Sequence, residues 1–179
     1  GGLRPREAVK HRQASCPGTA ANSRPRSPVF SSPTFARRTK RRYERADYLI
    51  DTSALARVLL RQNTAEWDDR IAAGLVAICD LTELEVLHSA RSAADRTRVK
   101  AALDAHYARH PMPDGIYRRS RTIQEQLTAK GEHRSASPVD LLVAADAQEA
   151  GLTLLHHDPD FETIARTTGQ PVRTIDLRQ

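Results

Sequence analysis

Tyr48-Leu49-Ile50-Asp51-Thr52-Ser53 sets a short apolar run against a carboxylate and two hydroxyls. An apolar strand inside a parallel sheet carries no charge along its length, so an acid at its carboxyl end opens onto the crevice where open α/β sheets bind ligands. A helix signal follows at once, with Thr52 or Ser53 as N-cap and Leu55, Val58 and Leu59 at helical spacing. The junction reads as strand, acid, helix. Asp51 has two competing readings, a cap on that helix or a group that does chemistry.

Downstream, Trp67 and Ile71 mark a short second helix ending near Gly74, and Leu75-Val76-Ala77-Ile78-Cys79 is a second apolar strand. Asp80-Leu81 is read as a turn. A helix then starts at Thr82, with Thr82 and Glu85 at capping-box spacing and Leu84, Leu87 and Ala90 available to face the sheet. A further helical pattern runs from Thr97 to His110 and stops at Pro111-Met112-Pro113. Ile116, Ile123 and Leu127 mark another helix, closed by Lys130-Gly131.

Ser137-Pro138-Val139-Asp140 reads as an N-cap, a proline in the first helical position and an acid in the first turn. The helix it opens is apolar nearly all round to Ala150, a composition suited to a helix laid flat on a sheet. Leu152-Thr153-Leu154-Leu155 is a third strand, ending at His156-His157-Asp158-Pro159-Asp160-Phe161, and Val172-Arg173-Thr174-Ile175 follows as a last one. Alternating strands and helices predict a three-layer α/β/α domain with a mostly parallel central sheet.

The 179-residue chain carries a formal net charge of +6, but the two parts of it differ in sign. Residues 1–47 hold twelve Lys and Arg against three acids and five of the ten prolines, whereas residues 48–179 hold sixteen against nineteen. The first stretch reads as a disordered basic leader, either an arm that attracts nucleic acid or upstream sequence without a role. No apolar segment suits a signal peptide or a membrane span. Cys16 and Cys79 suit free thiols, and the protein is expected to be soluble and cytoplasmic.

Asp51, Glu85, Asp140, Asp158 and Asp160 all fall where strands end or helices begin. Each is explicable as a cap, because acids there satisfy orphan backbone donors and complement the helix dipole. If the strands ending at Asp51 and Asp158 are parallel neighbours, however, those carboxylates share one sheet edge. Converging carboxylates repel one another and take up protons unless a cation keeps them ionised. An all-oxygen donor set suits Mg²⁺ or Mn²⁺, which implies metal-assisted hydrolysis of a phosphodiester.

These four stretches, Leu49 to Ser53, Thr82 to Leu87, Val139 to Ala145 and Leu154 to Phe161, together resemble the PIN-domain ribonucleases, and in particular the VapC toxins of VapBC toxin-antitoxin modules. The resemblance covers residues 48–179 and none of the leader. It implies a metal-dependent endoribonuclease in which Asp51, Glu85, Asp140 and Asp158 bind Mg²⁺ or Mn²⁺, with Asp160 as an auxiliary acid and Ser53 as a hydroxyl beside the first acid. Glu83 competes with Glu85 for the second ligand position; Glu85 is preferred for its Thr-x-x-Glu pattern. His156 occupies a place where the family usually has Thr or Ser, and His156 and His157 have either a supporting or a packing role.

The resemblance further implies an RNA substrate, a homodimer and a cognate VapB-type antitoxin. Arg91 and Arg134 are candidate phosphate contacts at the cleft rim. The domain's own negative balance is awkward for gripping a polyanion, so bound cations, local arginines or the leader must offset it. Two rival readings remain. A haloacid-dehalogenase-like phosphohydrolase with an Asp51 nucleophile calls for a second Asp where this chain has Ser53, and a catalytically silent PIN-like binding module has no need of mutually repelling acids.

Overall fold

The computed structural model describes residues 45–178; the reading of residues 1–47 as a leader lies outside the described residues except at its end. The elements run β1 (Tyr48–Ile50), α1 (Thr52–Leu59), α2 (Ala65–Ala72), β2 (Val76–Cys79), α3 (Asp80–His88), α4 (Ala93–His106), β3 (Ala108–His110), α5 (Ile116–Ala129), α6 (Pro138–Ala150), β4 (Thr153–His156), α7 (Pro159–Thr168) and β5 (Val172–Thr174). Their five strands form one sheet in the order β3-β2-β1-β4-β5, with every pair parallel. The three-layer expectation holds, and among these strands "mostly parallel" becomes all parallel.

The period of two along each strand divides the core into two layers. Leu49, Ala77, Cys79 and Leu154 pack with Ile123, Leu127, Ala144 and Phe161 of α5, α6 and α7. Ile50, Val76, Ile78 and Leu155 pack on the opposite face with Leu55, Trp67, Ile71 and Leu103 of α1, α2 and α4. A slip of one residue would exchange these sets between two helix-covered faces and force both to repack, with overpacking and voids that typically cost about 1–3 kcal/mol at each misfitted side chain. That penalty fixes the register, with Ile50 opposite Leu155. It thereby fixes where β1 and β4 end.

Four local expectations are corrected. The cap of α1 is Asp51 itself, whose side chain accepts from the Ser53 and Ala54 backbone N–H groups, and not Thr52 or Ser53. Helix α3 starts at Asp80 rather than Thr82; Thr82 is buried, and its hydroxyl donates to the Ile50 carbonyl instead of forming a capping box. Leu84 is 62% exposed, so Val86 and Leu87 supply the buried face of α3.

The helix read over 97–110 runs over Ala93–His106, and its last residues become β3. Tyr107 is extended, and Ala108, Arg109 and His110 pair with Ala77, Ile78 and Cys79. Pairing with β2 overrides a sequence that shows no strand alternation of its own. Among the described residues no helix is long and apolar enough to cross a membrane.

Candidate active site

Asp51 stands at the carboxyl end of the central strand, and its backbone N–H donates to the Leu155 carbonyl of β4 at 3.0 Å. The residue is 5% exposed. Its carboxylate takes the Ser53 N–H at 2.9 Å, the Ala54 N–H at 3.0 Å and the Ser53 hydroxyl at 3.0 Å. Burial still pushes the Asp51 carboxyl above its ordinary value; the Ala54 and Ser53 N–H groups, the Ser53 hydroxyl and His156 oppose the shift without cancelling it.

Ser53 also joins this acid to the next strand end. Its oxygen accepts the His157 backbone N–H at 2.8 Å across 104 residues of sequence, bringing the β4–α7 turn against β1. In that turn Asp158 caps α7 by accepting the Asp160 N–H at 2.9 Å. His156 is buried, stacks at a tilt on Phe161 with centroids 5.6 Å apart, and donates from Nδ1 to the Asp158 carbonyl at 2.8 Å. It therefore packs and braces the turn. His157 is half-buried.

Asp140, read from sequence as an acid in the first turn after the Ser137 N-cap, completes a capping box: the Ser137 N–H donates to its carboxylate at 2.7 Å, and its own N–H donates to the Ser137 hydroxyl at 3.2 Å. The Asp160 carboxyl lies above its ordinary value through burial first, then the fields of Asp158 and Asp140. Asp160 thus feels both acids that stand at the starts of α6 and α7. Glu85, exposed on α3, accepts the Thr52 hydroxyl at 2.6 Å. That contact to the residue after Asp51 was not anticipated, because only folding sets the two chain segments side by side.

Glu83 has different surroundings. It is buried, paired with Arg109, and 3.7 Å from Lys100. Arg91 and Arg134 are exposed, and no ion pair or hydrogen bond joins either to the five acids among the described residues. A groove of about 530 Å³ lined by Val58, Leu59, Ile71, Leu103 and Tyr107 contains none of those acids.

Capping and site readings coexist, because Asp51, Asp140 and Asp158 each hold a helix start and still face the same sheet edge. Among the described residues no three Asp, Glu, His or Cys side chains form a ready-made metal cage. Mg²⁺ needs none, since it keeps several waters and binds through one or two carboxylates. Burial raises the Asp51 carboxyl, and burial with the fields of Asp158 and Asp140 raises that of Asp160, so a bound cation would favour the ionised form of each.

The chain is similar to known proteins in sequence and in fold. The sequence profile of the PIN domain matches residues 48–167. Ribonuclease VapC21 of Mycobacterium tuberculosis is 42% identical over 130 residues, spanning 72% of this chain and 93% of that protein. Ribonuclease VapC2 of the same species is 40% identical over 133 residues, spanning 73% and 94%. In fold, the chain is similar to the DNA-bound VapBC from Salmonella typhimurium, with a TM-score of 0.60 and 18% identity over 72% of this chain and 98% of that one. VapBC2 from Rickettsia felis, bound to a promoter DNA fragment, gives the same TM-score at 15% identity, with the same coverage of both chains. A five-stranded parallel sheet with acids gathered at its carboxyl edge and a family match across residues 48–167 place this chain in the PIN-domain family.

Proposed function

We propose that the protein is a divalent-metal-dependent endoribonuclease and the toxin of a VapBC-type toxin-antitoxin pair. The observation that carries the reading is Asp51: a carboxylate 5% exposed, at the centre of the sheet edge, with no Lys or Arg bound to it among the described residues. Kinship with proteins named ribonuclease VapC supports RNA as the phosphodiester that is cut. The phosphohydrolase and silent-module readings gain no support from any contact at the site.

Asp51, Glu85, Asp140 and Asp158 would hold the ion, with Asp160 adding charge beside them. Their oxygen-only character suits Mg²⁺ or Mn²⁺. The ion would supply Lewis-acid stabilisation of charge on the phosphate and acidify an attacking water. Ser53 keeps Asp51 and the β4–α7 turn together, so the two strand-end acids stay in fixed relation. Arg91 and Arg134 supply exposed positive charge for the RNA backbone. Likeness to VapBC assemblies supports a VapB-type antitoxin as partner, and the VapC resemblance supports a homodimer.

The test is cleavage of total RNA by the full chain with Mg²⁺ or Mn²⁺, with EDTA, and as Asp51→Asn. Asparagine caps helices as well as aspartate, so α1 is expected to persist while cleavage is lost. Undiminished cutting by that variant would remove Asp51 from the site, and undiminished cutting in EDTA would remove the metal.

A further inference from the structure

We propose that Thr52 is a positioning residue whose hydroxyl sets the Glu85 carboxylate in place and so sets the affinity of the acid edge for a divalent ion; this role rests on the nuclease reading above. Thr52 opens α1 but has no capping duty, since Asp51 already accepts the Ser53 and Ala54 N–H groups. Its hydroxyl reaches across 33 residues of sequence to Glu85 Oε2 at 2.6 Å. That separation is typical of an O–H donor on an ionised carboxylate.

Glu85 needs such a holder. It is exposed on α3, and among the described residues no ion pair with Lys, Arg or His fixes it. A free glutamate wanders among many rotamers, and each one it must abandon to meet an ion weakens binding. Glu83 shows the alternative on the same helix, held by Arg109 and Lys100. A cation of that kind beside Glu85 would compete with the metal, whereas a neutral hydroxyl orients the carboxylate and leaves its charge unspoken for. One hydroxyl satisfies only Oε2, so Oε1 keeps its full capacity to accept.

The experiment titrates the full chain with Mn²⁺, following free ion by electron paramagnetic resonance, for wild type, Thr52→Val and Thr52→Ser, each with Glu85 and with Glu85→Gln. Thr52→Val keeps shape and removes the donor. It is expected to weaken Mn²⁺ roughly 10- to 100-fold, the usual effect of removing a group that orients a metal ligand. It is also expected to lower kcat on RNA at unchanged KM, with Tm in EDTA unmoved. Thr52→Ser should recover wild-type affinity. In the Glu85→Gln background, Thr52→Val should cost nothing more, because the two groups act through one contact.

Equal Mn²⁺ affinity of Thr52→Val and wild type would overturn the role. So would the same fold-loss with and without Glu85. Failure of the wild type to bind Mn²⁺ at all would instead overturn the nuclease reading, and this role with it.

Discussion

Glu83 of α3 pairs with Arg109 of β3, while Glu85, two residues further along the same helix, is exposed and accepts a neutral hydroxyl. The glutamates that compete in the sequence therefore differ in what each would lose. Glu83→Gln removes the buried carboxylate partner of Arg109, which keeps Asp104 at 2.8 Å, and is expected to lower stability by about 1 kcal/mol. Glu85→Gln is expected to leave Tm within about 2 °C, as for most exposed substitutions in a domain of this size, and to reduce both Mn²⁺ binding and RNA cleavage. Melting curves and cleavage rates on the two variants separate these outcomes. A wild-type rate for Glu85→Gln would take Glu85 out of the ligand set.

Burial raises the Asp51 carboxyl above its ordinary value of 3.8. The folded chain then holds that proton more tightly than the unfolded chain does. Stability from this source is full below 3.8 and is lost as pH rises through the raised folded-state value. In EDTA, Asp51→Asn should accordingly gain on the wild type as pH is raised through that window. Excess Mg²⁺, binding only the folded wild type, should shrink or reverse the gain by about 2.7 kcal/mol at a hundred times Kd. Thermal unfolding against pH, with and without Mg²⁺, reads both slopes, and parallel curves in EDTA would show that Asp51 is not strained by burial.

Asp146 of α6 is fully buried, and its Oδ1 lies 3.2 Å from His110 Nε2 at the end of β3. Removing the His110 ring takes the neighbouring nitrogen away from a fully buried carboxylate, so His110→Leu alone is expected to cost about 1–3 kcal/mol. Replacing both by leucine should recover most of the loss, because apolar packing substitutes well for a buried pair. Urea unfolding of the two single variants and the double one tests the coupling. Strict additivity would show that the pair contributes nothing as a pair.

Much of the site is legible in the sequence because charge appears abruptly where apolar runs end. Asp51 after Leu49-Ile50 stands out in this way at a strand end, and Asp140 stands out as the acid that opens an apolar helix after Ser137-Pro138. The unread parts depend on tertiary partners. Ala108-Arg109-His110 becomes a strand only by pairing with β2, and the start of α3 at Asp80 follows from burying Thr82 under the Ile50 carbonyl. Nor does anything near Thr52 announce Glu85 as its partner. His156 carries no local sign that Phe161 will cover it.

β1 lies between β2 and β4, so the first acid of the candidate site waits for the last strand-end acid, with 104 residues separating Ser53 from His157. Contacts that distant close late, after intervening chain has been synthesised and folded. A ribosome carrying a half-made copy therefore carries no assembled blade. Any chain cut short ahead of β4 lacks both Asp158 and the Ser53–His157 bond, and so cannot complete that edge of the sheet.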